Sequence, residues 1–284
     1  MAPRKLRNTI GIIVNNDSTT YETLLLNSLN TRFRNAGYQV MVNCTDGNIQ
    51  WEREAFQHLK GICDCILAVS SAIRYEEIED AVPGQIPVIF LSHKPEGCPH
   101  TAIISSDYSA VYQGVISYAG RSGKKIACVC GDTSLPSTQE CLRAYRDALS
   151  VSPLDYDKEL IYEVPDMESF VPRELIHNIR QEDCTALFAT SPALTSVLVD
   201  YLAFHNTNPM HTPIALLGYG NFDSGLTSRM HIDLIDHPVE QIVDVAFQHA
   251  TYSIHHPKSQ NKRVFLLKGT LHTHTLNGLR INEE

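Results

Sequence analysis

The chain has 284 residues, of which 43% are hydrophobic, and its 23 Lys and Arg against 32 Asp and Glu give a formal charge of -9 at pH 7. This is enough apolar chain for two independent cores, and it excludes a disulfide-stapled miniprotein, a disordered chain or a fibre. The negative charge repels nucleic-acid phosphates, and the basic cluster Arg4, Lys5 and Arg7 is too short to carry a DNA-binding fold.

Strand-like apolar runs alternate with amphipathic stretches along the whole chain. Thr9 to Val14 reads as a buried strand. Tyr21 to Ala36 reads as a helix with Leu24, Leu25, Leu29 and Phe33 at helical spacing and Gly37 as its stop. Gln39 to Cys44 is a strand, Gln50 to Leu59 a helix, Cys63 to Val69 a strand and Tyr75 to Ala81 a short helix. Strands follow at Pro87 to Ser92 and Thr101 to Ser105, then a helix after Asp107 to about Ala119 that the Gly-Arg-Ser-Gly run at 120–123 breaks.

A second series begins there. Strands are expected at Lys125 to Cys130, Glu159 to Val164, Ala186 to Thr190, Ile214 to Gly218 and Asp233 to Ile235. Helices are expected at Ser137 to Leu149, Phe170 to Ile179, Ala193 to Asn206 and Val239 to Ile254, before closing strands at Arg263 to Lys268 and Leu271 to Thr275. Short connections between alternating strands and helices demand parallel strands with right-handed crossovers. The fold class is therefore α/β, with two doubly wound parallel-sheet lobes.

No apolar run approaches the roughly 20 residues needed to span a bilayer, and residues 1–18 do not match a secretory signal, so a cytoplasmic protein without membrane contact is expected. Its eight cysteines would be reduced there. Cys63 with Cys65 and Cys128 with Cys130 stand two apart in strand-like runs, so each pair is expected on one sheet face as core packing, and no metal is assigned. His272 and His274 alternate on one strand, but lack a third ligand at metal spacing. No cofactor is expected, because the Walker A and G-x-G-x-x-G patterns are absent, and with no G-x-S-x-G either the chain is not read as an enzyme.

Several motifs resemble the LacI/GalR family of transcription regulators in order and spacing. Asn8 to Val14 followed by Tyr21 to Tyr38 is similar to that family's opening strand, cleft aromatic and first helix. Cys63-Asp64-Cys65-Ile66-Leu67 resembles its "VDGII" strand, Ile104-Ser105-Ser106-Asp107 its "V-x-x-D", and Gly123-Lys124-Lys125-Ile126-Ala127 its "GHxxIA". Thr185 to Ser191, Pro213 to Gly218, Ile235-Asp236-His237-Pro238 and Leu271 to Thr275 resemble its remaining signatures. The resemblance covers about residues 8 to 280.

It implies an effector-binding core of the type I periplasmic-binding-protein kind, with three crossover strands near residues 120, 236 and 265. Residues 1–7 would be a hinge remnant or tail, 8–120 with 238–264 the N-terminal lobe, and 121–237 with 265–284 the C-terminal lobe. A small-molecule effector, a sugar or related metabolite, would bind in the cleft between the lobes of a likewise expected homodimer. DNA would be reached through a helix-turn-helix head outside this chain. The alternative is a stand-alone or periplasmic-type small-molecule binding protein without DNA function.

In open parallel sheets ligands bind beyond the carboxyl ends of the strands. The expected ligand-binding residues are accordingly Asn16, Tyr21, Ser70, Asp107, Ser137, Cys141, Met167, Ser191, Asn221 and His237. Tyr21 reads equally as a core aromatic and Asp107 equally as a helix N-cap. The family's effector-clamping arginine corresponds to Cys141, its Asn-Asp pair to Ser191-Pro192, and the Asp of its "GFDD" to Gly220, beside Asn221. A thiol cannot replace the five donors of a guanidinium.

Overall fold

A computed structural model describes residues 6–15, 20–122, 125–164, 166–205, 213–220, 232–257 and 262–273. Contacts divide the chain into two units, Met1–Ser106 with Pro238–Leu267 and Asp107–His237 with Lys268–Glu284. The first division thus falls at residue 107, one helix before the position near 120 expected from sequence, because the helix that follows packs within the second unit.

The first unit is built on β1 (Thr9–Val14), β2 (Gln39–Cys44), β3 (Cys65–Ala68), β4 (Val88–Ser92), β5 (Thr101–Ser106) and β11 (Val264–Lys268). Their order in the sheet is β11-β5-β4-β3-β1-β2, and β1 to β5 pair in parallel. β1 lies between β2 and β3, and all six of its residues are buried, as a strand covered on both faces requires. Helices α1 (Thr20–Asn35) and α7 (Val239–His255) cover one face, joining Leu25, Leu29, Phe33, Ile242 and Ala246 to Ile10 and Ile12. Helix α2 (Ile49–Leu59) covers the other, with Phe56 and Leu59 against Ile13 and Ile66.

Gly37 ends α1 as expected, in the left-handed region at φ +84. The N–H of Tyr38 donates to the Phe33 carbonyl and that of Gly37 to the Arg34 carbonyl, while the Phe33 and Tyr38 rings meet edge to face. The helix expected over 75–81 is a single 3-10 turn, Tyr75–Glu77. Cys63 precedes β3 rather than lying in it. It therefore packs with Leu59 and Phe56, whereas Cys65 faces the α1 side, so this pair does not share a face.

The second unit repeats the plan. Strands β6 (Ile126–Cys130), β7 (Ile161–Glu163), β8 (Ala186–Ala189), β9 (Ala215–Tyr219) and β10 (Ile232–Asp236) are parallel, in the order β7-β6-β8-β9-β10. β12 (Thr270–His272) adds antiparallel to β10. Helices α3 (Tyr108–Ser122) and α4 (Pro136–Ser150) pack on one face and α5 (Pro172–Gln181) with α6 (Pro192–His205) on the other. The expected strand over 159–164 opens with a 3-10 turn at Lys158–Leu160, and the Thr275 end of the last expected strand lies outside the described residues.

Gly218 in β9 permits a close approach of α6. The Thr195 hydroxyl donates to the Ser191 carbonyl and accepts from the Tyr219 N–H, both at 2.8 Å. A Cβ on Gly218 would stand 2.6 Å from that hydroxyl oxygen. Gly218→Ala is expected to cost about 1–3 kcal/mol of second-unit stability through overpacking and lost hydrogen bonds. Gly84→Ala, with nothing within 4 Å of the new carbon, should change it by less than about 0.5 kcal/mol. Urea denaturation of the two variants checks the contrast.

Candidate functional site

The strand order 2-1-3-4-5 within each unit reverses direction between its first and third strands, and the carboxyl ends flanking that point are where the fold places ligands. In the first unit these ends carry Asn15 after β1 and Ser70 and Ser71 after β3. The Asn15 Oδ1 accepts from the Ser71 hydroxyl at 2.7 Å and from the Thr45 hydroxyl at 3.1 Å. With Oδ1 turned to these two hydroxyls, the NH2 group has no hydrogen-bond partner among the described residues.

Ser70 is committed inward. Its hydroxyl donates to Glu52 Oε1 at 2.5 Å, and the Ser71 N–H donates to Oε2 at 2.9 Å. Glu52 on α2 is fully buried, and burial raises its pKa above the ordinary 4.5 against the opposing pull of those two hydrogen bonds. Tyr21 is half-buried at the start of α1, packed on the core, and its hydroxyl lies 2.8 Å from the Ser92 hydroxyl at the end of β4. Tyr21 thus belongs to the core and also sits at the polar end of the sheet.

In the second unit three expected residues converge on one that sequence reasoning missed. Cys141 on α4 and His237 after β10 both meet Tyr219 at the end of β9. The Cys141 Sγ lies 3.2 Å from the Tyr219 hydroxyl, and the His237 ring stacks on the Tyr219 ring at 5.3 Å. Asp107 completes the chain, its Oδ2 standing 3.4 Å from His237 Nδ1. Its carbonyl accepts from the Val111 N–H at 2.9 Å, the first hydrogen bond of α3, so Asp107 stands at the N-cap position while its carboxylate turns to His237; the remaining carboxylate oxygen sits against Gly269.

The charge state of this cluster follows from burial. Desolvation pushes the Cys141 thiol up to about 12 and the Tyr219 phenol well above 10, so both are neutral at physiological pH. A neutral thiol and phenol bonded to each other offer neither a clamp for an anion nor an activated nucleophile.

The other expected residues lie elsewhere. Ser191 caps α6, its hydroxyl accepting from the Leu194 N–H at 3.3 Å. Ser137 is exposed in the first turn of α4 and Met167 is exposed before α5, and no hydrogen bond joins either to the Tyr219 cluster. Asn16 and Asn221 lie outside the described residues. Thr45, Ser92 and Glu52 were missed as well. The signal for Glu52 was a charge on the apolar stripe of α2, three and four residues before Ala55 and Phe56. Among the described residues no group of three His, Cys, Asp or Glu side chains gathers as a metal site, and no helix is long and apolar enough to cross a membrane.

No family model matches the chain. The HTH-type transcriptional regulator DegA of Bacillus subtilis (strain 168) is 20% identical over 221 residues, 76% of this chain and 65% of that protein. The chain thus spans less than two thirds of that relative's length. Among solved structures, the Cra transcriptional dual regulator of Pseudomonas putida, in complex with fructose 1-phosphate, covers 95% of this chain and 100% of its own at TM-score 0.80 and 19% identity. A putative ribose operon repressor from Burkholderia thailandensis covers 94% and 100% at TM-score 0.79 and 19% identity. A putative LacI-family repressor from Corynebacterium glutamicum covers 93% and 97% at TM-score 0.77 and 22% identity. The chain has the doubly wound α/β fold of transcription-regulator cores. That core fold is the one found in LacI-family repressors.

Two predictions follow from burial. A raised folded pKa favours the protonated acid, so the stability Glu52 contributes is fully present below pH 4.5 and is lost as pH rises through its folded value. The stability of Glu52→Gln relative to the parent should therefore rise with pH over that window, as urea titrations from acid to neutral pH would show. In a native thiol titration Cys44, the exposed cysteine, should react, while Cys141 and the other six buried cysteines should react only on unfolding.

Proposed function

We propose that this chain is the small-molecule sensing core of a LacI/GalR-type transcription regulator, its ligand held at the carboxyl ends of the strands. The observation that carries this reading is the Asn15 amide. It is braced by Thr45 and Ser71 at the switch point of the first sheet, with both N–H donors uncommitted among the described residues. Donors held in place by the protein bind a hydroxylated ligand without first paying to order themselves. The Cra structure, with fructose 1-phosphate bound, supports small-molecule sensing on this fold.

The neutral Cys141–Tyr219 pair gives the preference a direction. With no guanidinium at that position, we assign the ligand to uncharged, hydroxyl-bearing metabolites of the sugar kind. The absence of an activated thiol in the cluster supports a binding role rather than a catalytic one. DNA contact belongs to a helix-turn-helix head such as the name of the DegA relative specifies, and a homodimer is the expected assembly.

A thermal-shift panel of neutral sugars, sugar phosphates, nucleobases and amino acids tests the assignment. A neutral sugar at a hundredfold excess over its Kd should stabilise the chain by about 2.7 kcal/mol. Asn15→Ala should weaken that ligand roughly tenfold or more while the free protein keeps its stability to within about 1 kcal/mol. No stabilising ligand in any class, or equal binding by Asn15→Ala, overturns the site. A ligand-bound chain that stays monomeric in sedimentation would move the assignment to the stand-alone binder.

A further inference from the structure

The amino ends of β4 and β5, opposite the edge that carries Asn15, hold a cavity of about 90 Å³ within the first unit. Its lining includes His100 and Thr101 at the start of β5, His249 and Ser253 on α7, and Lys262. By this measure roughly 10–15 Å³ holds one water, so the volume admits a small polyatomic ion but not a sugar phosphate.

The hydrogen bonds around it arrange donors. The Thr101 hydroxyl oxygen accepts the Arg263 N–H at 3.4 Å and lies 3.0 Å from the His249 Nε2. The Tyr75 hydroxyl stands 2.8 Å from the His100 Nε2. When both hydroxyls donate, each imidazole carries its proton on Nδ1, as a donor with no partner among the described residues. The buried Ser253 adds a hydroxyl that is likewise not engaged among the described residues.

The electrostatics favour negative charge. Burial, with Lys262 adding to it, pushes His100 down to about 4, and burial with Arg263 lowers His249. Among the described residues no carboxylate lines the cavity, so none of them supplies a counterion to Lys262 in its walls. A metal cation would face that charge with two imidazoles and no anionic ligand.

We propose that this cavity is an oxyanion site, sized for inorganic phosphate or an ion of similar bulk, held by Lys262, Ser253 and the N–H groups of His100 and His249. It is separate from the sensing site, and its occupant is a free ion rather than the phosphate of a larger metabolite. An anion there would tie α7 to the amino ends of β4 and β5.

Ring resonances of the histidine-labelled full chain, assigned with His100→Gln and His249→Gln, provide the test during titration with inorganic phosphate. The His100 and His249 signals should move along a saturable curve that potassium chloride at equal ionic strength does not reproduce. Lys262→Ala, a change at an exposed residue, should weaken the apparent affinity about tenfold or more. Asn15→Ala should leave it unchanged, so failure of the sensing assignment would not imitate failure here. Glucose 6-phosphate should not compete. Shifts that stay linear in phosphate, that persist in Lys262→Ala, or that saturate with zinc instead would overturn the proposal.

Discussion

Parallel strands cannot be joined by tight turns, and each must be followed by a helix that returns over one face of the sheet. Both units obey this constraint, and almost everything else in them follows. With helices on both faces, β1, β3, β6 and β8 are buried along their full lengths. On these four strands polar side chains are thereby confined to the ends. The carboxyl ends gather Asn15, Ser71, Ser92 and His237, while the amino ends of β4 and β5 gather His100, Thr101 and Lys262.

The two units use those ends differently. In the first, the Asn15 amide is braced by two hydroxyls and its donors have no partner among the described residues, while Glu52 satisfies Ser70 and the Ser71 backbone from below. In the second, polar side chains lie against one another, although one Asp107 carboxylate oxygen is buried without a hydrogen bond. Asp107, His237, Tyr219 and Cys141 form a continuous chain in which the thiol and phenol stay neutral. Such a chain shapes and orders its surroundings but contributes no fixed charge to recognition from Cys141 or Tyr219.

The opposite end of the first sheet differs in character. Two neutral imidazoles and a lysine with no counterion among the described wall residues make a locally cationic recess in a chain whose formal charge is -9. Burial suppresses histidine charge there, so the recess keeps its donors over a wide pH range while its fixed charge resides on lysine and arginine.

The sequence by itself determined the order and type of the elements, because apolar period and glycine stops act locally: Thr9–Val14 with no polar break beyond Thr9, and Gly37 closing α1 through a left-handed turn. It also marked Asp107, Cys141 and His237 as residues of interest, though not that Tyr219 joins them. That residue stands 78 positions beyond Cys141, and contact across such a distance depends on strand order, which local pattern does not encode. Tertiary structure likewise decided that Cys63 and Cys65 face opposite layers, since β3 begins only at Cys65, and that Ser70 turns inward while Ser71 braces Asn15. The physical reason is the same in each case. Side-chain alternation holds only inside a strand, and strand ends are set by pairing with partners remote in sequence.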